Sequence, residues 1–280
     1  MDDKKIVITG ANGQVGRALQ KIYPQALALD REQLDITDQK AINEFNWDNV
    51  KAIINAAAWT DVDGAENPSN YGLVKAVNVD ATCYLATVAS QHDLTFVTFS
   101  SDYVFDGSQP IHNEDEPVSP LNVYGKTKAD GDLAAATTTK HYIIRTSWVI
   151  GDGRNFVSIM QDLAARDIKP SVVNDQIGRL TFTDTLAHGI KHLLETNAPY
   201  GTYNLTNEGQ PASWADIAKI VFEKSGKSPS DVQPVSTAEY FADKPNTAKR
   251  PLQSTLDLTK IEKTGFMPED WRDKLDKLLG

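Results

Sequence analysis

Three side chains that follow two separate apolar runs are suited to proton transfer. Tyr124 and Lys128 stand four residues apart in YGKTK, and Ser101 ends the run LTFVTFSS. Side chains at i and i+4 share one face of a helix, so the Lys128 ammonium can lie near the Tyr124 phenol and lower its pKa. An isolated pair of this kind is more often a packed surface feature. The surrounding sequence has to decide between the two interpretations.

A glycine-rich turn follows the first apolar run of the chain. ITGANGQVG places Gly10, Gly13 and Gly16 after a predicted strand and before a predicted helix. Glycines there allow a tight turn and a close approach of the backbone to a pyrophosphate, which binds the helix N-terminus. The next apolar run ends at Asp30, where an acid can bind the hydroxyls of an adenosine ribose. These features favour a dinucleotide site over a purely structural turn.

Short apolar runs alternate with helical patterns in the first half of the chain. The runs KKIVITG, ALALD, KAIINAA, LTFVTFS and HYIIRTS predict buried strands, and helices are predicted over 14–22, 38–45, 70–91 and 122–136. Such alternation favours a parallel sheet with helices on both faces. We predict an α/β fold with a doubly wound, Rossmann-type dinucleotide-binding domain over 1–150. Residues 151–280 are predicted to form a smaller, mainly substrate-binding C-terminal lobe, some of whose elements can return to the sheet.

Composition narrows the classes of partner. The chain has 280 residues, 40% of them hydrophobic, and a net charge of −10. Nucleic-acid binding is not expected, because it usually requires a basic surface. The apolar runs are far shorter than a membrane span, which favours a cytoplasmic protein without a membrane partner. No metal site is expected, since His188 and His192 share a helix face without an evident third ligand.

Several longer strings resemble one enzyme family. They are GANGQVG, NAAAWTDVDGAE, FSSDYVFDG, SPLNVYGKTK, RTSWVIG, NDQIGRLTFT and RPLQSTLD, and together they span residues 10–257. They resemble the dTDP-4-dehydrorhamnose reductase family of the extended short-chain dehydrogenase/reductase superfamily. The resemblance implies NAD(P)H-dependent reduction of the 4-keto group of dTDP-4-dehydro-L-rhamnose to dTDP-L-rhamnose. Related dehydratases carry Thr-Asp-Glu where this chain has Ser-Asp-Tyr, which favours reduction over dehydration.

The resemblance also implies site residues. Tyr124 gives its proton to the carbonyl oxygen, Lys128 holds the nicotinamide ribose and lowers the pKa of Tyr124, and Ser101 holds the carbonyl. We choose Ser101 over Ser100 because neighbours on a strand point to opposite faces. The other implied cofactor contacts are Gly10, Gly13, Gln14, Val15, Gly16, Asp30, Arg31, Asp35, Ile36, Ala58, Trp59 and Thr60.

Five further residues are candidates for substrate contact. Asp102 matches an acid that contacts substrate in the family, and Trp148 would lie against the substrate. For Tyr103, the core of the protein and the substrate pocket are equally good locations. Arg179 and Arg250 are candidates for a diphosphate, with solvated surface charge as the alternative.

Cofactor preference and exact activity stay open at this stage. Asp30 would repel the 2′-phosphate of NADPH, whereas Arg31 and Arg17 could neutralise it, so we expect both NADPH and NADH to work. The alternatives to the reductase are another nucleotide-sugar short-chain reductase or epimerase, or a non-catalytic regulatory homologue. The protein is expected to be a monomer or a homodimer.

Overall fold

The structure is a computed structural model that describes residues 1–244 and 247–280. A parallel sheet with strand order β10-β5-β4-β3-β1-β2 forms its centre. The five strands predicted from the apolar runs are confirmed as β1 to β5, and the expected parallel pairing is confirmed with them. In chain order the strands are β1 (Ile6–Thr9), β2 (Leu27–Leu29), β3 (Ala52–Asn55), β4 (Thr95–Ser101), β5 (His141–Thr146), β6 (Val149–Ile150), β7 (Ser171–Val173), β8 (Ile177–Gly178), β9 (Thr181–Phe182), β10 (Gly201–Asn204), β11 (Ala212–Ser213) and β12 (Gln233–Val235).

Helices cover both faces of the sheet. The helix predicted over 70–91 consists of α4 and α5, joined by a π-helical turn over Ala76–Asp80. Within the described residues, no helix combines the length and the apolar character that a bilayer crossing requires. The α-helices are α1 (Gln14–Ile22), α2 (Gln39–Glu44), α3 (Val62–Ala65), α4 (Tyr71–Lys75), α5 (Ala81–Gln91), α6 (Val123–Ala135), α7 (Phe156–Ala165), α8 (Thr183–Thr196), α9 (Trp214–Lys224), α10 (Thr237–Phe241), α11 (Thr259–Glu262) and α12 (Trp271–Leu279).

The strand residues alternate between two apolar cores. Ile6 and Ile8 of β1 pack in a cluster with residues of α1 and α8, whereas Val7 belongs to a cluster with residues of α2 and α5. All four residues of β1 and of β3 are buried, because helices lie on both sides of the sheet. This burial explains why the strands read as continuous apolar runs.

Two elements from the second half of the chain pack on the central sheet. β10 pairs in parallel with β5, with Tyr203 opposite Ile144, and α8 packs on α1. A third apolar cluster joins α7, α9 and α12 around the fully buried Trp271. The boundary near residue 150 stays a prediction, since the chain returns to the sheet after passing it.

The strand order places a crevice at one end of the sheet. The chain runs from β1 outward to β2 and then returns to β3 on the other side of β1. In open α/β sheets, ligands bind at such a reversal, beyond the carboxyl ends of the strands. Gly10 follows β1 and Ala56 follows β3 at this position.

Candidate active site

Three adjoining cavities extend from this crevice into the second half of the chain. The first, of about 430 Å³, and the central one, of about 690 Å³, share Asn12, Gly13 and the loop after β3 as lining residues. The third, of about 400 Å³, shares only Tyr103 and Trp214 with the central cavity. Tyr103 and Trp214 therefore mark the place where the central and the third cavity adjoin.

The glycine turn and the start of α1 separate the first cavity from the central one. Gly10 has a φ of +71°, and a Cβ at this position would lie 2.5 Å from the Ala57 nitrogen. Gly13 caps α1 without a side-chain hydrogen bond, so the amides of the first helical turn are available to an anion. Gln14 and Val15 line the central cavity, whereas a Cβ at Gly16 would overlap the Gly10 carbonyl. The turn fits a pyrophosphate.

Acidic and apolar residues line the first cavity. Asp30 accepts a hydrogen bond of 3.2 Å from the Asn12 side chain, and Arg31 pairs with Asp35 at 3.2 Å. Arg17 lines the central cavity, where it donates to the carbonyls of Asp152 and of Asn12, a residue shared by both cavities, and its effect on the 2′-phosphate of NADPH stays a prediction. Predicted residues around the first cavity are Gly10, Gly13, Asp30, Arg31, Asp35, Ile36, Ala58 and Trp59.

The three predicted catalytic residues line the central cavity. Ser101, at the end of β4, donates a hydrogen bond of 2.9 Å to Asp102 and accepts one of 3.1 Å from the Tyr103 nitrogen. Tyr124 and Lys128 reach the same cavity from the first two turns of α6, and the Tyr124 phenol lies beside Ser101. Lys128 has no hydrogen-bond or ion-pair partner within the part of the chain that the structure describes. Its ammonium is therefore available to a ligand.

Burial determines the charge states of these groups. It raises the pKa of Tyr124 to about 12, opposed by the Ser101 hydroxyl. Burial is the largest influence on this pKa, so the expected lowering of the Tyr124 pKa by Lys128 stays a prediction. Burial also lowers the pKa of Lys128 to about 8, while the Asp132 carboxylate acts in the opposite direction. The cost of removing Tyr124 from water exceeds any stabilisation of its anion.

Asp102 is a buried carboxyl with one free oxygen. It is 3% exposed, and burial raises its pKa to about 6. Ser101 donates to Oδ1, whereas Oδ2 is buried without a hydrogen-bond partner among the described residues. A buried acceptor of this kind is costly until a donor reaches it. Because Asp102 lines the central cavity, a ligand hydroxyl can supply that donor.

Aromatic side chains form one wall of the central cavity. Trp148 stacks on Trp214 with a centroid distance of 3.8 Å, and its backbone has a φ of +48°. Gly178 allows this arrangement, since a Cβ there would lie 2.9 Å from the Trp148 ring. Tyr103 meets Tyr124 edge to face at 5.7 Å. Tyr103 also lines both the central and the third cavity, and its contact with substrate stays a prediction.

The two predicted cations have different surroundings. Arg250 lines the third cavity and pairs with Asp63 at 2.8 Å. Arg179 lines none of the three cavities, and its guanidinium donates to the Leu256 carbonyl at 3.3 Å. The structure therefore brings Arg250 to the cavities and leaves Arg179 away from them.

Sequence reasoning missed several lining residues. Trp214 is the first residue of α9, a position at which an aromatic residue gives no signal of its own. Asn12 lies inside the quoted glycine turn, and the side-chain amide at that position is a signal that sequence reasoning could have used. Other missed residues are Leu34, Leu73, Val77, Phe99, Thr146, Ser147, Phe156, Tyr240 and Phe241.

Comparisons with known proteins identify the family of this chain. The RmlD substrate binding domain family matches residues 4–280. The dTDP-4-dehydrorhamnose reductase of Aggregatibacter actinomycetemcomitans is 39% identical over 98% of both chains. A solved structure of this reductase from Clostridium acetobutylicum has a TM-score of 0.89 at 36% identity and covers 97% of each chain. The Bacillus anthracis reductase, solved in complex with NADP, has the same TM-score at 33% identity and 97% coverage of each chain. The chain thus belongs to the dTDP-4-dehydrorhamnose reductase family.

Proposed function

We propose that this protein reduces the 4-keto group of dTDP-4-dehydro-L-rhamnose to give dTDP-L-rhamnose, with NADPH or NADH as the reductant. The observation that carries the proposal is the position of Ser101, Tyr124 and Lys128 in the central cavity. That cavity adjoins a dinucleotide-type cavity on one side and an aromatic cavity on the other. Family membership and the site chemistry support the same activity.

The residues of the first and central cavities suit the cofactor. The tight backbone turn at Gly10, the open N-terminus of α1 and the Lys128 ammonium fit the pyrophosphate and the nicotinamide ribose. Asp30 and Arg31 would flank the adenosine ribose. The NADP complex of the Bacillus anthracis relative supports NADPH as a cofactor for this chain.

The chain's own residues hold the ketone and supply the proton. Bound NAD(P)H supplies the hydride. Ser101 would turn its hydroxyl from Asp102 to donate a hydrogen bond to the ketone oxygen, and Tyr124 would give that oxygen its proton. The raised pKa of Tyr124 keeps the phenol protonated at neutral pH, as a proton donor requires. Lys128 would stabilise the phenolate that remains.

The third cavity suits the nucleotide part of the substrate. Tyr240 and Phe241 offer aromatic faces to a flat base, and Arg250 offers a cation to the diphosphate. The sugar would then lie in the central cavity against Trp148, with its hydroxyls near Asp102. We propose no such contact for Arg179, which lies outside these cavities.

Assembly, location and domain roles are also proposals. We propose a monomer or a homodimer in the cytoplasm, which sedimentation and cell fractionation can test. We further propose that 1–150 bind the dinucleotide and that 151–280 mainly bind substrate. α8 and β10 would be the part of the second region that supports the sheet.

The deciding experiment offers the purified protein dTDP-4-dehydro-L-rhamnose with NADPH or NADH. We expect loss of cofactor absorbance together with a product of the mass of dTDP-L-rhamnose. Reduction of a different nucleotide 4-keto-sugar instead would overturn the substrate assignment. Turnover without net loss of cofactor would indicate an epimerase, and no turnover with any of these sugars would favour a regulatory homologue.

A further inference from the structure

Three charged side chains are buried together behind the central cavity. Lys128 and Asp132 belong to α6, and Arg145 belongs to β5. Each of the three is 6% exposed. Arg145 donates to Asp132 Oδ2 at 3.1 Å and to the Glu114 carbonyl at 3.1 Å. The group thus contains two cations and one anion, and the cation that faces the cavity is Lys128.

Asp132 acts on Lys128 through space. Residues four apart lie on one helix face, so Asp132 continues the line that Tyr124 and Lys128 begin. Its carboxylate is bonded to Arg145 and forms no ion pair within 4.0 Å with Lys128 among the described residues. Charges interact strongly across such distances when water is excluded. The other ionisable groups that line the central cavity with Lys128 are Arg17, Asp102, Tyr103, Tyr124, Asp152 and Arg154.

We propose that Asp132 is a positioning residue that keeps Lys128 cationic, and that Arg145 keeps the Asp132 carboxyl ionised. This inference rests on the proposed function, in which Lys128 binds the nicotinamide ribose as an ammonium. A buried ammonium without a bonded partner is unstable, and a nearby buried anion compensates for its lost hydration. Burial raises the pKa of the Asp132 carboxyl, and Arg145 opposes that rise while holding the group in place.

The direction of titration supports this arrangement. Burial lowers the pKa of Lys128 to about 8, and Asp132 is the charged group that opposes the decrease. Lys128 therefore loses its proton as the pH rises through the alkaline range. Removal of the Asp132 charge should bring that loss to lower pH.

The test compares Asp132→Asn with wild type. NADPH binding, followed by cofactor fluorescence, and kcat/KM are both measured from pH 6 to pH 10. We expect the alkaline decrease of both quantities to move to lower pH by about one unit. Asp132→Glu keeps the carboxylate and should return the decrease toward its wild-type position. Asp130→Asn, the same charge change at a partly exposed position of α6, is the matched control and should not move it.

Arg145→Gln tests the same dependence through the partner of Asp132. Burial raises the pKa of Asp132 and Arg145 opposes that rise, so loss of the cation favours the neutral carboxyl, and the alkaline decrease should move to lower pH, as in Asp132→Asn. A variant with only a structural defect would bind NADPH more weakly at every pH, and the pH of its alkaline decrease would not change. That result in Asp132→Asn would overturn the proposal. If Asp132→Asn does not fold, Arg145→Gln decides: a shift to lower pH supports the proposal and an unmoved decrease overturns it. The NADPH-binding measurement needs no sugar substrate, so a wrong substrate assignment would show separately, in the turnover assay.

Discussion

At the scale of single residues, burial determines the protonation state of Tyr124, the proposed proton donor. The Tyr-Lys spacing in YGKTK predicted that Tyr124 and Lys128 share a cavity, and they do. The direction of the Tyr124 pKa shift was not predictable, because it depends on how much water the folded chain removes from the phenol. A protonated phenol suits ketone reduction.

Replacement of Tyr124 by Phe tests this role. Tyr124→Phe keeps the ring that meets Tyr103 edge to face and removes the proton. We expect kcat to fall by roughly a hundredfold or more, which is the usual contribution of a positioned acid. NADPH binding should change little. Turnover close to that of wild type would assign the acid to another residue.

The ionised Asp102 carboxylate should lower the free energy of unfolding at neutral pH. Its folded-state pKa of about 6 lies above the ordinary value of 3.8, so the folded protein binds this proton more tightly than the unfolded chain. Stability is therefore greatest at acid pH and decreases as the pH rises toward 6. Relative to wild type, Asp102→Asn should gain about 2 kcal/mol in free energy of unfolding between pH 4 and pH 7.5, measured by urea denaturation. A pH-independent difference would contradict this assignment.

At the scale of elements, α6 has an unusually well anchored start. The Asn122 side chain accepts from the Gly125 nitrogen at 2.7 Å and donates to the Lys249 carbonyl at 2.7 Å. Glu66 accepts from the Val123 nitrogen at 2.7 Å. These contacts connect the segment that carries the catalytic tyrosine to two distant parts of the chain. The position of the phenol therefore depends on this anchor.

Loss of the cap should affect activity as well as stability. Asn122→Ala removes both hydrogen bonds and should lower the free energy of unfolding by about 1 kcal/mol. Because Tyr124 lies two residues away, kcat should fall as well. Asp270→Ala removes the side-chain cap of α12 and is the control. It should lower stability without a change in kcat, and equal kcat losses in the two variants would refute a specific role for the Asn122 anchor.

Strands and helices were largely predictable because their patterns are local. The apolar runs of β1 to β5 and the glycine turn before α1 follow from burial and backbone freedom. Contacts between distant segments leave no such pattern. The pairing of Arg250 with Asp63 and the stack of Trp148 on Trp214 each join residues far apart in sequence. The position of Arg179 was unpredictable for the same reason: it lies in a string that resembles the family, yet it lines none of the three cavities.

At the scale of the whole molecule, one ion pair connects the two halves beside the third cavity. Asp63 accepts from Arg250 at 2.8 Å and from the Ala248 nitrogen at 3.0 Å. The first half of the chain thereby holds the cation that we propose for the diphosphate. With a net charge of −10, the protein as a whole repels an anionic substrate, so a local cation matters for capture.

Removal of this cation should weaken substrate binding selectively. Arg250→Ala should raise the KM for the nucleotide sugar by about tenfold or more, because a charge-assisted hydrogen bond is lost, and leave the KM for NADPH nearly unchanged. Lys249→Ala removes the same charge from an exposed neighbour and is the matched control. Added salt should raise the wild-type KM for the sugar and affect Arg250→Ala less. Equal effects of the two substitutions would exclude a specific contact by Arg250.

The return of β10 to the sheet has a consequence for synthesis on the ribosome. β5 emerges about sixty residues before β10, so one edge of the sheet stays without its neighbour while that stretch is translated. The apolar face of α1 likewise stays exposed until α8 has been translated. The nascent first half therefore exposes the unpaired edge of β5 and the apolar face of α1, and both can associate with other chains. Chaperone occupancy on stalled nascent chains should decrease once residue 204 has left the exit tunnel.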